Sequence, residues 1–170
     1  MPNWVHNNVS FGTPKILEEC LTKCEDNENK YLDFDKIAPM PKEFDGYQSP
    51  NNNEIAAKEL IKKYGAPDWY EWRLQNWGTK WIPSNTEILS EYDLEFDTAW
   101  STPDVIFQKL SEKYHTSVYV EYADEDLGYN CGSLRYVNGE LVEQTEGDFD
   151  FACKVWGFDP QEERKYRGEE

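Results

Sequence analysis

"YDLEFDTAWSTPDVIFQKLSEKY", residues 92–114, reads as a strand running into a helix, and its pattern sets the fold. Over 92–100 the positions alternate: Tyr92, Leu94, Phe96 and Thr98 share one face, while Asp93, Glu95 and Asp97 share the other. A period of two is what a half-buried strand requires, because successive side chains leave the backbone on opposite sides. The segment therefore buries one face and turns carboxylates outward. Thr102 then stands where a helix cap belongs, and Pro103 occupies the first helical position, where its missing N–H costs nothing. Ile106, Leu110 and Tyr114 follow as one apolar stripe.

Upstream, "NWVHNNVSF" (3–11) alternates loosely to Gly12, after which Thr13 and Pro14 can open a helix over 14–25. Its stripe contains Ile16, Leu17, Cys20, Leu21 and Cys24. "YLDFDKI" (31–37) reads as a second strand, closed by the two prolines of "APMP". Residues 42–91 break the pattern and are expected to form an insertion: an Asn-rich loop, a helix near 54–64 and a short helix near 68–77. Asp68 and Glu71 are spaced as an N-cap and its partner, and Gly78 falls where a left-handed C-terminal cap is wanted. Downstream, 117–122 returns as strand, and 133–144 folds as a hairpin about Asn138-Gly139, a pair suited to a type I′ turn. A short helix near 149–156 ends before Gly157, and 158–170 reads as a charged, partly disordered tail. The order predicts an α+β ferredoxin-like split βαβ sandwich, an antiparallel sheet with two main helices. One domain is expected over 1–157.

Of the 170 residues 38% are hydrophobic, a low share, but 15% are aromatic, so large rings such as the seven tryptophans supply the core. The formal net charge is −17, with 34 acidic against 17 basic side chains. Such a field repels phosphate backbones and attracts basic protein surfaces, which argues against direct nucleic-acid binding. Cys20, Cys24, Cys131 and Cys153 form no CxxC pair, and "MPNWVHNNVS" has no signal-peptide character, so free thiols and a cytoplasmic location are expected. No apolar run approaches the roughly 20 residues that span a bilayer, and no membrane partner is expected.

"MPNW" with "NNVSFG", then "FDKIAPMP", "NWGTKW" and "FDTAWSTP" resemble, in that order, the signature of the YubB-type ferredoxin-like proteins of phages and plasmids. The resemblance spans roughly 1–137. Val5 stands where the pattern has a cysteine, and "NTEILSEYDLEF" is a local variation. What the resemblance implies is a ferredoxin-like fold and a mobile-element origin. It brings no established activity and no catalytic residues.

Two groups of side chains are candidates for function. The rings of Trp72, Trp77, Trp81 and Trp100 are expected first of all to staple the insertion onto the sheet as core; the alternative is a small-ligand pocket in which Trp72, Asn76, Trp77, Thr79, Lys80, Trp81 and Trp100 set polar groups beside aromatic walls. Asp93, Glu95 and Asp97 on one strand, with Glu121, Asp124, Glu125 and Asp126 in the loop "EYADEDLGYN", form the second group, an acidic surface. That loop fails the calcium-hand spacing, because Gly128 displaces a ligand and no bidentate Glu closes it. Neither a metal nor a cofactor is expected. His6 and His115 lie in no nucleophile or metal motif, and no catalytic residue is assigned.

The leading expectation is a non-enzymatic interaction protein of a phage or plasmid. Its acidic surface would engage a basic host protein, as a nucleic-acid mimic or as an inhibitor of a host defence such as CRISPR. The alternatives are an RNA-recognition-like module, which would need aromatic side chains on a basic sheet face, and a ligand binder or enzyme built on the tryptophan-lined pocket.

Overall fold

The computed structural model describes residues 1–169. Strand β1 (Trp4–Phe11) has Val5, Asn7, Val9 and Phe11 buried on one face. Strand β5 (Asp93–Ala99) lies antiparallel to it, pairing His6 with Asp97 and Asn8 with Glu95. Beyond β5 lies β4 (Ser84–Ile88), and on the other side of β1 come β6 (Ser117–Asp124), β7 (Cys131–Val137) and β8 (Glu140–Glu146). The order is β4-β5-β1-β6-β7-β8, antiparallel throughout. Since β5 opposes both β1 and β4, those two run parallel with β5 between them, which is the split βαβ unit of a ferredoxin-like sheet. The β7–β8 hairpin extends the β6 edge, turning through Asn138 and Gly139 with φ of 50° and 83°.

Helix α1 (Lys15–Cys20) and helix α5 (Asp104–Lys113) cover one sheet face, where Ile16, Leu17, Ile106, Phe107 and Leu110 meet Val9, Leu94, Phe96, Val118 and Val120. Thr102 does not cap α5. Its hydroxyl donates instead to the fully buried Asn7 side chain, whose amide donates to Val5 O, Phe96 O and Thr98 Oγ1. A buried amide is costly unless every group is matched, and Thr102 supplies the match to Asn7 Oδ1.

Three expectations are corrected. The first helix ends at Cys20, not 25, and Leu21–Lys23 leaves it as strand β2, so Cys24 lies on no helix. Residues 31–37 are not one strand: β3 (Lys30–Leu32) pairs with β2, and helix α2 (Phe34–Ile37) follows because Asp33 caps it, accepting from Asp35 N–H. The second strand of the split unit is β4, inside the expected insertion of 42–91. It is a polar edge strand with no fully buried residue, so it carries no alternating signal. Thirdly, the tail forms helix α7 (Pro160–Arg167), capped by Asp159 and tied back by an Arg164–Asp150 ion pair.

The remaining elements are a 3₁₀ turn (Lys42–Gly46), helix α3 (Glu54–Tyr64), helix α4 (Trp69–Asn76) and helix α6 (Phe149–Trp156). Helix α6 lies on the outer sheet face, packing Ala152, Cys153 and Val155 against Ala123, Leu127 and Cys131. It covers only the half of that face bearing His6 and Ala123. All four cysteines are free, and among the described residues no helix is long and apolar enough to cross a membrane.

Candidate functional site

The motifs that carry the resemblance meet in space. Trp77 of "NWGTKW" donates its indole N–H to Ala38 O of "IAPMP" at 2.9 Å. Thr79 donates to Ala99 O of "FDTAW" at 2.8 Å, and Ser101 Oγ donates to Gly78 O at 2.6 Å. Trp100 N–H reaches Asn3 O of "MPNW" at 2.9 Å. These motifs form one hydrogen-bonded joint between the insertion and the sheet. The joint is also aromatic: ring contacts run from Phe44 to Trp72, Trp77, Phe34, Phe96 and Phe107, with centroids 5.7 to 6.4 Å apart.

That arrangement breaks up the expected pocket. Trp72 and Trp77 are 6% and 0% exposed and belong to the core. Thr79 is spent on Ala99, while Asn76 donates to Trp72 O and accepts from Lys109. Lys80, Trp81 and Trp100 lie outside: the Lys80 ammonium sits 4.1 Å from the Trp81 ring centre and 3.6 Å from that of Trp100. Trp100 is held at φ 66°, which costs an L residue roughly 1–2 kcal/mol and glycine almost nothing. Trp100→Gly should therefore be more stable than Trp100→Ala by about 1 kcal/mol; equal melting midpoints for the two variants would remove the strain.

The acidic set divides as well. Asp93, Glu95 and Glu121 do lie on the outer sheet face: Asp93 is in the half that α6 leaves open, and Glu95 and Glu121 stand at the margin of α6, flanking Asn8, whose side chain donates to Val155 O at 3.1 Å. Glu95 also opposes Glu87 directly, a like-charge pair that costs stability. Asp97 shares the face but is buried, accepting from Asn85 at 2.8 Å and meeting His6 Nδ1 at 2.6 Å. Asp124 is buried too, accepting from Asn3, Asn130 and Asp126 N–H. Glu125 is exposed and accepts from Trp4 N–H at 3.0 Å, and Asp126 is exposed. Asp97 and Asp124 are therefore structural, because each is filled with neighbouring donors. No group of three or more His, Cys, Asp or Glu side chains is disposed to hold a metal ion among the described residues.

His6 stacks on Trp156 with ring centres 4.9 Å apart, and its Nε2 lies 3.7 Å from Glu95. Burial is the largest influence and would lower its pKa, but the hydrogen bond and charge of Asp97 and the charge of Glu95 together hold it above 6.5. A folded-state pKa above the unfolded one means that protonation stabilises the fold. That contribution is complete below the unfolded value of 6.5 and is lost as pH rises through the folded value. The stability gap between wild type and His6→Gln should thus be widest on the acid side and shrink on the alkaline side, in urea titrations spanning about pH 5 to 9. A constant gap would mean that neutral imidazole holds the site.

Arg73, passed over in the sequence, faces a further cavity together with Trp69. Arg73 lies between the rings of Trp69 and Trp77, its guanidinium carbon 4.9 and 4.7 Å from their centres, and its Nη1 donates to Lys80 O. Of the expected pocket set, only Trp81 lines this cavity. The four-residue spacing of Trp69, Arg73 and Trp77 was the signal, since it stacks all three on one helical face.

Comparison with known proteins fits this fold. The chain is 30% identical over 95 residues to the uncharacterized protein YubB of Escherichia coli (strain K12), a match covering 52% of the chain and 64% of that protein. It is also similar to the crystal structure of protein api92 from Yersinia pseudotuberculosis, with 17% identity and a TM-score of 0.41 over 47% of the chain and 30% of the other. A family model described as the ferredoxin-like domain in Api92-like protein matches residues 76–166. That span takes in β4 through α6 and most of α7, more than half of the chain, and the protein belongs to this ferredoxin-like family.

Proposed function

We propose that this chain is a non-enzymatic interaction protein that holds a basic partner protein on the open half of its outer sheet face. One observation carries the reading: Asp93 and Glu95 of β5, Glu121 of β6 and Glu143 of β8 share that face on alternate strands of the sheet, and the one arginine among them, Arg135 of β7, is tied to Glu143 at 2.6 Å. A depression of about 300 Å³ between Ser10, Asp93, Tyr119 and Glu121 is sized for a cationic side chain. Carboxylates kept side by side despite their repulsion, as Glu87 and Glu95 are, fit a surface completed by foreign cations. The partner class is a basic, nucleic-acid-binding protein of a bacterial host, and inhibition of a host defence by charge mimicry is the role that fits a mobile-element origin.

The RNA-recognition reading is weaker. Its aromatic platform would be Tyr119, but Arg135 covers that ring at 4.6 Å, the hydroxyl donates to Glu121, and carboxylates surround it. Reversing Glu95 and Glu121 to lysine leaves the buried Asp97 alone and tests the surface without breaking the sheet. The double variant should fold, and it should capture a basic protein from bacterial lysate at low salt roughly tenfold more slowly than wild type, with added DNA competing. Equal capture by both proteins, or tight binding of DNA or RNA by the chain itself at physiological salt, overturns the proposal.

A further inference from the structure

We propose that the cavity beside Arg73 binds a small carboxylate carried on an aromatic body, with the guanidinium as the anion-recognising group. The cavity, about 340 Å³, is walled by Phe44, Tyr47, Trp69 and Trp81, and Asp45 and Arg73 are its charged residues. That volume lies at the low end of small-molecule sites, in a shallow, open depression whose aromatic rings share the accessible surface with an at least equal polar part.

The case rests on what Arg73 lacks. The chain has four arginines, and three are paired: Arg135 with Glu143, Arg164 with Asp150 and Arg167 with Glu163. Arg73 has no carboxylate within ion-pair distance among the described residues, in a chain with 34 acidic side chains. Its Nε–H is buried without an acceptor, and one hydrogen bond, to Lys80 O, uses one of its five N–H groups. The guanidinium is half-buried, and an incoming anion that engages its idle donors gains charge-assisted hydrogen bonds there. Burial is the main pressure on this guanidinium, lowering its pKa, and the charges of Asp35 and Asp45, beyond ion-pair distance, offset it only in part.

Geometry selects the class of anion. Trp69 and Trp77 flank the guanidinium, one helical turn before and one after, so a ligand meets its edge. A planar carboxylate matches that edge with two parallel hydrogen bonds. A doubly charged phosphate would meet stronger repulsion from Asp45 and from a net charge of −17. The rings of Trp81 and Tyr47 leave room for an aromatic body. This site lies in the insertion and is independent of the acidic sheet face.

The test is a titration of the ¹⁵N-labelled chain, following the arginine Nε–Hε signals, with 3-phenylpropionate, its amide and inorganic phosphate as probes. The Arg73 signal should shift saturably with the acid, and the amide should bind about tenfold more weakly or worse, having lost the charge-assisted pair. Arg73→Gln should abolish the response, and Arg73→Lys, a point charge without the fork, should weaken it. Should Arg73→Gln fail to fold, the wild-type comparison of acid with amide still decides. The peptide Gly-Gly-Phe, with and without a C-terminal amide, separates the sources: tighter binding of the free peptide than of phenylpropionate assigns a protein C-terminus, and the reverse a free acid. No saturable shift with any carboxylate, equal affinity for acid and amide, or a preference for phosphate overturns the proposal.

Discussion

Trp77→Ala is expected to lose about 3–5 kcal/mol of stability, the range for emptying a large buried aromatic site. Trp77 is fully buried, in edge contact with Phe34 at 5.7 Å and Trp72 at 6.0 Å. Truncation also orphans Ala38 O, which the indole N–H now satisfies, and strips one flanking ring from Arg73. Because the ring is the middle link between the insertion and Phe96 of β5, its loss should loosen α4 and α2 together. Trp81→Ala is the control. That ring is 37% exposed, so its truncation should cost below about 1 kcal/mol, as surface changes do. Denaturant unfolding of both variants decides the matter, and comparable losses would contradict the division into core and surface rings.

Gly78→Val should cost more than about 2 kcal/mol, from two separate causes. The backbone there has φ 84°, which β-branched residues resist. A Cβ would also stand 2.2 Å from Asp104 Oδ1, 3.0 Å from Asp104 N and 3.3 Å from Pro103 C. The carboxylate can swing away, but the backbone that opens α5 cannot. Gly157 separates the causes, having φ 77° and open space where its Cβ would stand. Gly157→Ala should therefore cost only the left-handed penalty, about 1 kcal/mol, and Gly78→Ala should cost more. Equal losses from the two alanine variants would leave conformational strain as the sole cause.

What could be read in the sequence is what local chemistry writes there. Leu94 and Phe96 alternate with carboxylates, Asp68 caps α4, and Asn138-Gly139 turns the hairpin, each within a few residues and each found as expected. Strand β4 was missed because an exposed edge strand needs no apolar face, and α7 because a helix capped by Asp159-Pro160 but without buried residues looks like a solvated tail. The acidic surface was half legible. Alternation puts Asp97 beside Glu95, but only the pairing of β1 with β5 sets His6 against Asp97 and makes that carboxylate interior. The core role expected of Trp72 and Trp77 is found, but one-dimensional spacing groups Trp81 with them and cannot say that this ring is left outside.

Strand β8 closes the sheet with seven residues, all of them exposed, and Leu141 and Val142 stand 44% and 52% open. Such a rim is a template on which another chain can extend the ladder, and glutamates at 140, 143 and 146 are its guard. The guard is electrostatic, so it is conditional on acidity. Near pH 4.4, where the net charge of the sequence vanishes, two copies lose the repulsion that keeps their rims apart. Light scattering on acidification should then register growing particles, and Val142→Lys, which puts a fixed positive charge on the strand, should delay their appearance. A chain that defends its border with charge alone is safe in neutral solution and sticky in acid.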